Sequence, residues 1–200
     1  MNSNFTSSLS LPTVSNEELR HTLLDLIVKY AYREGDFILS SGARSSYYIN
    51  CKEVTLRAEG ALIIGRLILN ALPESTDAVA GLTLGADPIV SAVSVVSALS
   101  ARPIPALIIR KQAKGHGTQA YIEGPSLAER AEVVVLEDVV TTGKSALQAV
   151  ERLQAVGYRV NRIISLVDRN QGGRELYESE GLKFQALFSI EELKGYTTLT

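Results

Sequence analysis

The chain is poor in the residues that mark secreted, metal-binding and nucleic-acid-binding proteins. Its 200 residues include 1 cysteine, Cys51, so no disulfide framework can form within the chain. It has 2 histidines, and no His/Cys/Asp spacing indicates a zinc or iron site. The formal net charge of -2 excludes a global field that would attract nucleic acid or a membrane surface. A reducing, cytoplasmic location is the simplest interpretation.

Long apolar runs are also missing. No segment reaches the roughly 18 uninterrupted apolar residues of a membrane span. Residues 1–16, MNSNFTSSLSLPTVSN, contain no Lys or Arg, which excludes a basic transit peptide or a secretory signal. We expect residues 1–16 to form a flexible tail and residues 17–200 to form a single domain. With 46% hydrophobic and 21% charged residues, that domain can bury a substantial core.

Helical and strand-like patterns alternate along most of the chain. Ser15 is predicted to cap a first helix that ends at Gly35, and residues 37–54 are predicted to form a hairpin. Predicted strands follow at 77–81, 103–110, 131–138, 160–169 and 183–190, and predicted helices at 58–72, 88–99, 144–156 and 191–196. The strands are too continuously apolar to be half-exposed, which indicates an α/β fold with a parallel sheet covered on both faces. Ligands of such sheets bind at the carboxyl ends of the strands.

One stretch, VVVLEDVVTTGKS at residues 133–145, ends like a nucleotide-binding P-loop. A P-loop needs a glycine five residues before Gly143, so that the backbone can wrap round a polyphosphate. Asp138 occupies that position, and Glu137 precedes it. Because two carboxylates repel a triphosphate, we expect the stretch to bind a single phosphate at one end and a hydrogen-bond donor at the other.

A ribose 5-phosphate fits these requirements. Glu137 and Asp138 follow the predicted strand and suit the vicinal hydroxyls of a ribose. The loop amides and the N-terminus of the helix that begins near Lys144 suit one phosphate. We expect the binding residues to comprise the two acids, the predicted loop and the start of the helix: Glu137, Asp138, Val139, Val140, Thr141, Thr142, Gly143, Lys144 and Ser145. The alternative is a solvated acidic turn before a threonine-capped helix.

The same stretch resembles the phosphoribosyl-pyrophosphate (PRPP) motif of the type I phosphoribosyltransferases. Further pieces match that family in order, namely FILSSGARSSYYIN, GLTLGADP, RKQAKGHG and VDRNQGG between residues 37 and 173. The resemblance implies a central parallel sheet flanked by helices, with a small N-terminal hood. It also implies transfer of the phosphoribosyl group from PRPP to orotate in pyrimidine (UMP) biosynthesis. Mg²⁺ would be bound through PRPP rather than by a cluster of protein ligands, and the enzyme would be a homodimer with shared active sites.

Cations in the long segment at 111–124 are the predicted catalytic residues. Pyrophosphate gains negative charge as it leaves C1 of the ribose, and cations placed beside it lower that barrier. Arg110, Lys111, Lys114 and His116 match the family's catalytic loop, in which lysines and histidine reach the neighbouring subunit's site. Asp138 completes the predicted catalytic set. The alternative is that these lysines are merely solvated.

The resemblance also predicts the acceptor site and two departures from the family. Arg169 matches an arginine that contacts orotate, and Tyr47 and Tyr48 match aromatic residues beside the orotate ring; packing of the hairpin is the alternative for the tyrosines. The segment 82–87, LTLGAD, matches the pyrophosphate loop. Ser40 and Gly85 stand where many members have lysines, and Lys52 is the candidate substitute for the first.

Two other functions stay open at this point. A purine phosphoribosyltransferase would share the PRPP motif but would not require residues 37–50 or 110–117 in this form. A non-catalytic regulator that binds PRPP and then RNA or DNA is disfavoured, because the chain has no basic stripe.

Overall fold

The computed structural model describes residues 14–38, 44–100, 102–114 and 121–197. The described helices are α1 Asn16–Leu26, α2 Lys52–Thr55, α3 Ala58–Ala71, α4 Asp87–Ala98, α5 Lys144–Ala155, α6 Gly173–Ser179 and α7 Ile190–Thr197. The described strands are β1 Tyr32–Ile38, β2 Arg44–Ile49, β3 Ala78–Leu82, β4 Ala106–Ile109, β5 Ile122–Glu123, β6 Glu132–Val140, β7 Arg159–Asp168 and β8 Lys183–Ser189. None of the described helices is long and apolar enough to cross a membrane.

A six-stranded sheet in the order β5-β4-β3-β6-β7-β8 forms the centre of the fold. All its pairings are parallel except that of β5 with β4. Helices cover both faces: α1, α3 and α4 share one apolar cluster with one side of the sheet, and α5 and α6 share a second cluster with the other side. The predicted α/β fold with a covered parallel sheet is therefore confirmed.

The N-terminal elements from α1 to α2 form the small hood, in which β1 and β2 make a two-stranded sheet of their own while α1 shares an apolar cluster with α3 and α4. Ser15 caps α1 as predicted, in a capping box with Glu18. A π-helical turn, Ile27–Ala31, then continues the helix into β1. The prediction that the first helix ends at Gly35 was wrong, because Gly35 lies within β1, which pairs antiparallel with β2 from Tyr32 onward. The hairpin predicted for residues 37–54 thus begins earlier and gives way to α2.

Three features of the main domain differ from the sequence prediction. Strand β6 continues to Val140, where Val139 and Val140 pair with Val167 and Asp168 of β7, so these valines do not belong to the loop as predicted. Strand β5 and helix α6 were not predicted, because two residues and seven residues are too short to show a clear period. The expected tail at 1–16 falls outside the described residues, apart from its last three.

Helices α3 and α4 pack with almost no space between their backbones. A Cβ atom on Gly65 would lie 2.8 Å from the carbonyl oxygen of Ala92 and 2.9 Å from Cγ2 of Val96. Gly65→Ala is therefore expected to lower the free energy of unfolding by about 1–3 kcal/mol, measured by urea denaturation. In the matched control Gly195→Ala, the new Cβ meets nothing within 4 Å, so stability should be unchanged or higher. Equal stability of Gly65→Ala and the wild type would contradict this packing.

Candidate active site

Four loops meet at the carboxyl edge of the central sheet, because β3, β4, β6 and β7 run parallel and end there. They are the loop at 83–87 after β3, the segment from Arg110 after β4, the turn at 141–143 after β6, and the turn from Arg169 after β7. The predicted site residues within the described part of the chain, apart from those of the hood, thus lie on adjacent loops of one edge.

The turn after β6 forms a small phosphate-sized pocket. Gly143 has a left-handed backbone, with φ +82°, and caps the N-terminus of α5. A pocket with a volume of about 80 Å³ is lined by the turn, its flanking residues and α6: Glu137, Val139, Val140, Thr141, Thr142, Gly143, Lys144, Ser145 and Tyr177. This volume lies below the roughly 300–1,000 Å³ of sites that hold whole drug-sized ligands, so it suits one phosphate group. The side chains of Lys144 and Ser145 are exposed at its rim.

Glu137 is a buried carboxyl with little protein support. Its exposed fraction is 7%, its Oε1 accepts a hydrogen bond from the Asp138 N–H at 3.3 Å, and its Oε2 has no partner. Burial and then the nearby charge of Asp138 raise the pKa of Glu137 well above its usual value. An unpaired buried carboxyl oxygen costs free energy unless a ligand or water pairs with it. Glu137 is thus suited to receive a hydrogen bond from a ligand hydroxyl.

Asp138 points to the other side of the strand end, as alternation along a strand requires. Its Oδ1 accepts a hydrogen bond from the Val139 N–H at 2.9 Å, and its Oδ2 lies 3.8 Å from Nζ of Lys52. Glu137 faces Tyr177 of α6, whereas Asp138 faces the hood and the loop at 83–87. The two acids therefore have different neighbours, although their carboxyl groups lie close enough for Asp138 to raise the pKa of Glu137.

The loop at 83–87 packs directly on Asp138. A Cβ atom on Gly85 would lie 2.5 Å from Oδ1 of Asp138, so no larger residue fits without a shift. Within the loop, the Thr83 hydroxyl donates to Oδ2 of Asp87 at 2.7 Å, and the Thr83–Leu84 peptide bond is cis. Glycine at position 85 thus lets the backbone of this loop lie close to the Asp138 carboxylate.

Hydrogen bonds and an ion pair hold the start of the segment that follows β4, at Arg110, to the rest of the chain. The Arg110 N–H donates to the carbonyl of Tyr121 at 2.8 Å, and the Arg110 guanidinium pairs with Glu123 at 3.0 Å. Arg152 of α5 donates to the carbonyls of Arg110 and Lys111. Arg110 and Tyr121, on either side of residues 111–120, thus lie next to each other.

Of the three predicted catalytic cations in this segment, Lys111 and Lys114 lie among the described residues. The side chains of Lys111 and Lys114 are exposed. The positive charge of Lys111 lowers the pKa of Glu137, but by less than burial and Asp138 raise it. His116, together with Gly115 and Gly117, lies outside the described residues, as does Ser40. The guanidinium of Arg110 points to Glu123 rather than to Glu137 or Asp138 in this conformation.

The predicted acceptor residues Arg169 and Tyr47 lie together. The Arg169 Nε–H donates to the Tyr47 hydroxyl at 2.9 Å, and the Arg169 guanidinium lies 4.7 Å from the centre of the Tyr47 ring. The turn that holds Arg169 is fixed by buried Asp168, whose Oδ1 accepts a hydrogen bond from the Asn170 N–H at 2.9 Å. A guanidinium beside an aromatic ring suits a planar carboxylate.

The structure separates Tyr48 from Tyr47. Successive residues of a strand face opposite sides, so the largely exposed Tyr48 packs on Phe37 while Tyr47 is buried beside Arg169. This arrangement favours a packing role for Tyr48, and nothing brings it to the other predicted acceptor residues.

Sequence reasoning missed Tyr177. Its ring lies under the phosphate turn, where a Cβ on Gly143 would approach its Cε1 to 2.9 Å. Its hydroxyl is buried without a partner, and burial followed by the charges of Glu137 and Asp168 raises its pKa. The sequence offered no signal for Tyr177, because helix α6 itself was not predicted.

The described residues contain no group of three or more His, Cys, Asp or Glu side chains arranged to hold a metal ion.

Comparisons with known proteins agree with this geometry. Residues 56–191 match the model of the phosphoribosyl transferase domain family. The chain is 68% identical to an orotate phosphoribosyltransferase of a Nostoc species, over 91% of this chain and 88% of that protein. It is 66% identical to an orotate phosphoribosyltransferase of Synechocystis, over 92% and 93% of the two chains. The fold is similar to that of a Mycobacterium tuberculosis orotate phosphoribosyltransferase solved in complex with PRPP, with TM-score 0.74, 34% identity and coverage of 88% and 99%.

The raised pKa of Glu137 predicts a pH effect on stability. The unfolded carboxyl ionises near 4.5, whereas the folded carboxyl keeps its proton to higher pH. The folded state therefore binds more protons in this interval, and the wild type loses stability as the pH rises through it. Glu137→Gln has no such ionisation. The difference between its melting temperature and that of the wild type should therefore shift in favour of Glu137→Gln as the pH rises above about 4.5. Glu178→Gln, on the exposed side of α6, is the control. Parallel curves for Glu137→Gln and the wild type would contradict the buried, unpaired carboxyl.

Proposed function

The chain belongs to the phosphoribosyl transferase family, and we propose that it transfers the 5-phosphoribosyl group of PRPP to orotate. The products are orotidine 5'-monophosphate and pyrophosphate, which places the enzyme in pyrimidine biosynthesis. The observation that supports this most is the end of β6, where a buried and a half-buried carboxylate directly precede a pocket for one phosphate. A cytoplasmic location stays a prediction from the composition.

The phosphate turn and the two acids bind the ribose 5-phosphate half of PRPP. The phosphate occupies the pocket of Thr141–Ser145, where the N-terminal amides of α5 and three hydroxyls donate to it. The ribose hydroxyls donate to Glu137, whose Oε2 has no partner, and to Asp138, whose Oδ2 has only a long ion pair with Lys52. Held at both ends, the ribose presents C1 to the open part of the cleft.

The loop at 83–87 and the segment from Arg110 act on the leaving pyrophosphate. The bond from C1 to the pyrophosphate oxygen breaks, and both its electrons leave with pyrophosphate. The backbone of the loop at 83–87, brought close to Asp138 by Gly85, faces that charge. Lys111, Lys114 and His116 supply cations when their segment closes over the substrates and excludes water.

Arg169 and Tyr47 bind the acceptor. The Arg169 guanidinium pairs with the carboxylate of orotate, and the Tyr47 ring, fixed by its hydrogen bond to Arg169, packs beside the pyrimidine. The N1 atom of orotate then bonds to C1 of the ribose as the C1–oxygen bond to pyrophosphate breaks, and the proton that N1 carried leaves with the pyrophosphate. A purine phosphoribosyltransferase is disfavoured, because its bases have no carboxylate for this arginine.

Mg²⁺ fits the site as a companion of the substrate. The pyrophosphate and ribose hydroxyls of PRPP would hold the ion, and the described residues contain no group of three or more His, Cys, Asp or Glu side chains arranged to hold it by themselves. Bound through PRPP, the ion would offset the charge of the pyrophosphate.

An apolar groove beside the site supports a homodimer. It runs between α3 and α4 and includes Leu56, 72% exposed, and Val95, 65% exposed. Pro88, at the start of α4 and directly after the loop at 83–87, lines the same groove. A second copy seated there would lie next to the cleft, and we propose that its residues 111–117 complete the site. Such exposed apolar surface is typical of a subunit interface.

Orotate absorbance tests the proposed activity. The protein, Mg²⁺ and PRPP should consume orotate but leave adenine, guanine and hypoxanthine unchanged. Arg169→Met should raise the KM for orotate at least about tenfold with little change in the KM for PRPP, because a charge-assisted contact to the carboxylate is lost. Consumption of a purine without consumption of orotate would contradict the proposal.

Subunit exchange tests the shared site. Lys114→Ala and Asp138→Asn should each be nearly inactive, since each lost ionic contact costs on the order of 3 kcal/mol, roughly a hundredfold in rate. If Lys114 serves the partner's pocket, a mixed dimer has one intact site and one doubly defective site. An exchanged equal mixture should then regain about a quarter of wild-type activity, because half the dimers are mixed and each has one good site. A mixture that exchanges subunits and stays inactive would show that both groups act within one subunit.

A further inference from the structure

We propose that Lys52 is a further substrate-binding residue, whose ammonium group moves from Asp138 to the pyrophosphate of bound PRPP. The inference rests on the proposed function and adds a residue of the hood to the donor site. It is based on the contact of Lys52 Nζ with Oδ2 of Asp138 at 3.8 Å, in a cleft where three separate segments meet.

The position of Lys52 is fixed by the packing of α2. Val54 of that helix is fully buried, and a Cβ on Gly60 would lie 2.1 Å from the Val54 carbonyl oxygen, so α2 is pressed against α3. Cys51, immediately before Lys52, is also fully buried. Only the flexible stem of the lysine can therefore move, and its ammonium group stays near Asp138.

The contact with Asp138 is weak enough to be exchanged. The Lys52 side chain is 40% exposed, and 3.8 Å is a long separation for an ion pair. Partly exposed pairs of this kind contribute little to stability. A lysine is a compact charge on a four-carbon stem, so it can turn from a carboxylate to a neighbouring phosphate at small cost.

The pyrophosphate side of the cleft needs this cation. The 5-phosphate pocket lies on the Glu137 side of the strand end, so C1 and its pyrophosphate extend toward Asp138 and the loop at 83–87. That loop, TLGAD, contributes no cation and one carboxylate, Asp87. Lys52 is the cation that the described residues place in ionic contact with Asp138. Lys52 thus adds a cation from the hood at the point where the pyrophosphate would come close to Asp138.

Binding of three ligands to Lys52→Met tests the assignment. PRPP and pyrophosphate, each with Mg²⁺, should bind about tenfold or more weakly than to the wild type, because a charge-assisted contact is lost. Ribose 5-phosphate, which has no pyrophosphate, should bind within about twofold of the wild type. Lys52→Arg keeps the charge and should retain most of the affinity for PRPP. Lys29→Met is the matched control, since Lys29 is a hood lysine that lies over the Tyr30 ring, and all its affinities should stay unchanged.

The outcomes separate this inference from the proposed function. Equal weakening of all three ligands would overturn it, since Lys52 would then act only by holding Asp138. Unchanged affinity for PRPP and pyrophosphate would overturn it as well. The melting temperature of Lys52→Met, expected within error of the wild type, shows that the fold is intact. Orotate consumption by the wild type is measured in parallel, and its absence would contradict the proposed function while the binding data still decide the role of Lys52.

Discussion

The cleft of this protein is built around two adjacent carboxylates at the end of a central strand. Glu137 and Asp138 stand where β6 leaves the sheet, and between them they receive two hydrogen bonds from backbone amides and one long ion pair. Burying acids with so few partners is unfavourable by itself. The cost is offset when ligand hydroxyls bind, so the strand end is poorly satisfied alone and well suited to a ribose.

Close backbone approaches around this strand end shape the cleft. Gly85 lets the loop after β3 pack on Asp138, and Gly143 lets the turn after β6 pass over Tyr177. A side chain at Gly173 would meet Cγ1 of Val140 at 2.3 Å, so α6 also presses on the same turn. These glycines let three segments approach the strand end more closely than residues with a side chain would allow.

The hood completes the site from a distant part of the sequence. Tyr47 of β2 reaches Arg169, which is 122 residues away, and Lys52 of α2 reaches Asp138. Both acceptor and donor sides of the cleft thus depend on the docking of one N-terminal segment on the main domain. Substitutions that loosen α2 from α3 are therefore expected to affect substrate binding as well as stability.

The sequence by itself determined the elements with long, regular patterns and the chemistry of the PRPP motif. Ser15 as a cap, the helices from Ala58 and Lys144, the buried parallel strands and the exclusion of a triphosphate by Asp138 all follow from local composition and spacing. Only the tertiary structure decided which side each neighbouring side chain faces. In the structure, Tyr47 and Tyr48 face opposite sides of β2, and Val139 and Val140 belong to β6 rather than to the loop. Tyr177 lines the pocket beside Glu137, and Lys52 lies beside Asp138. These outcomes depend on strand register and on packing between segments far apart in the chain, which no local pattern encodes.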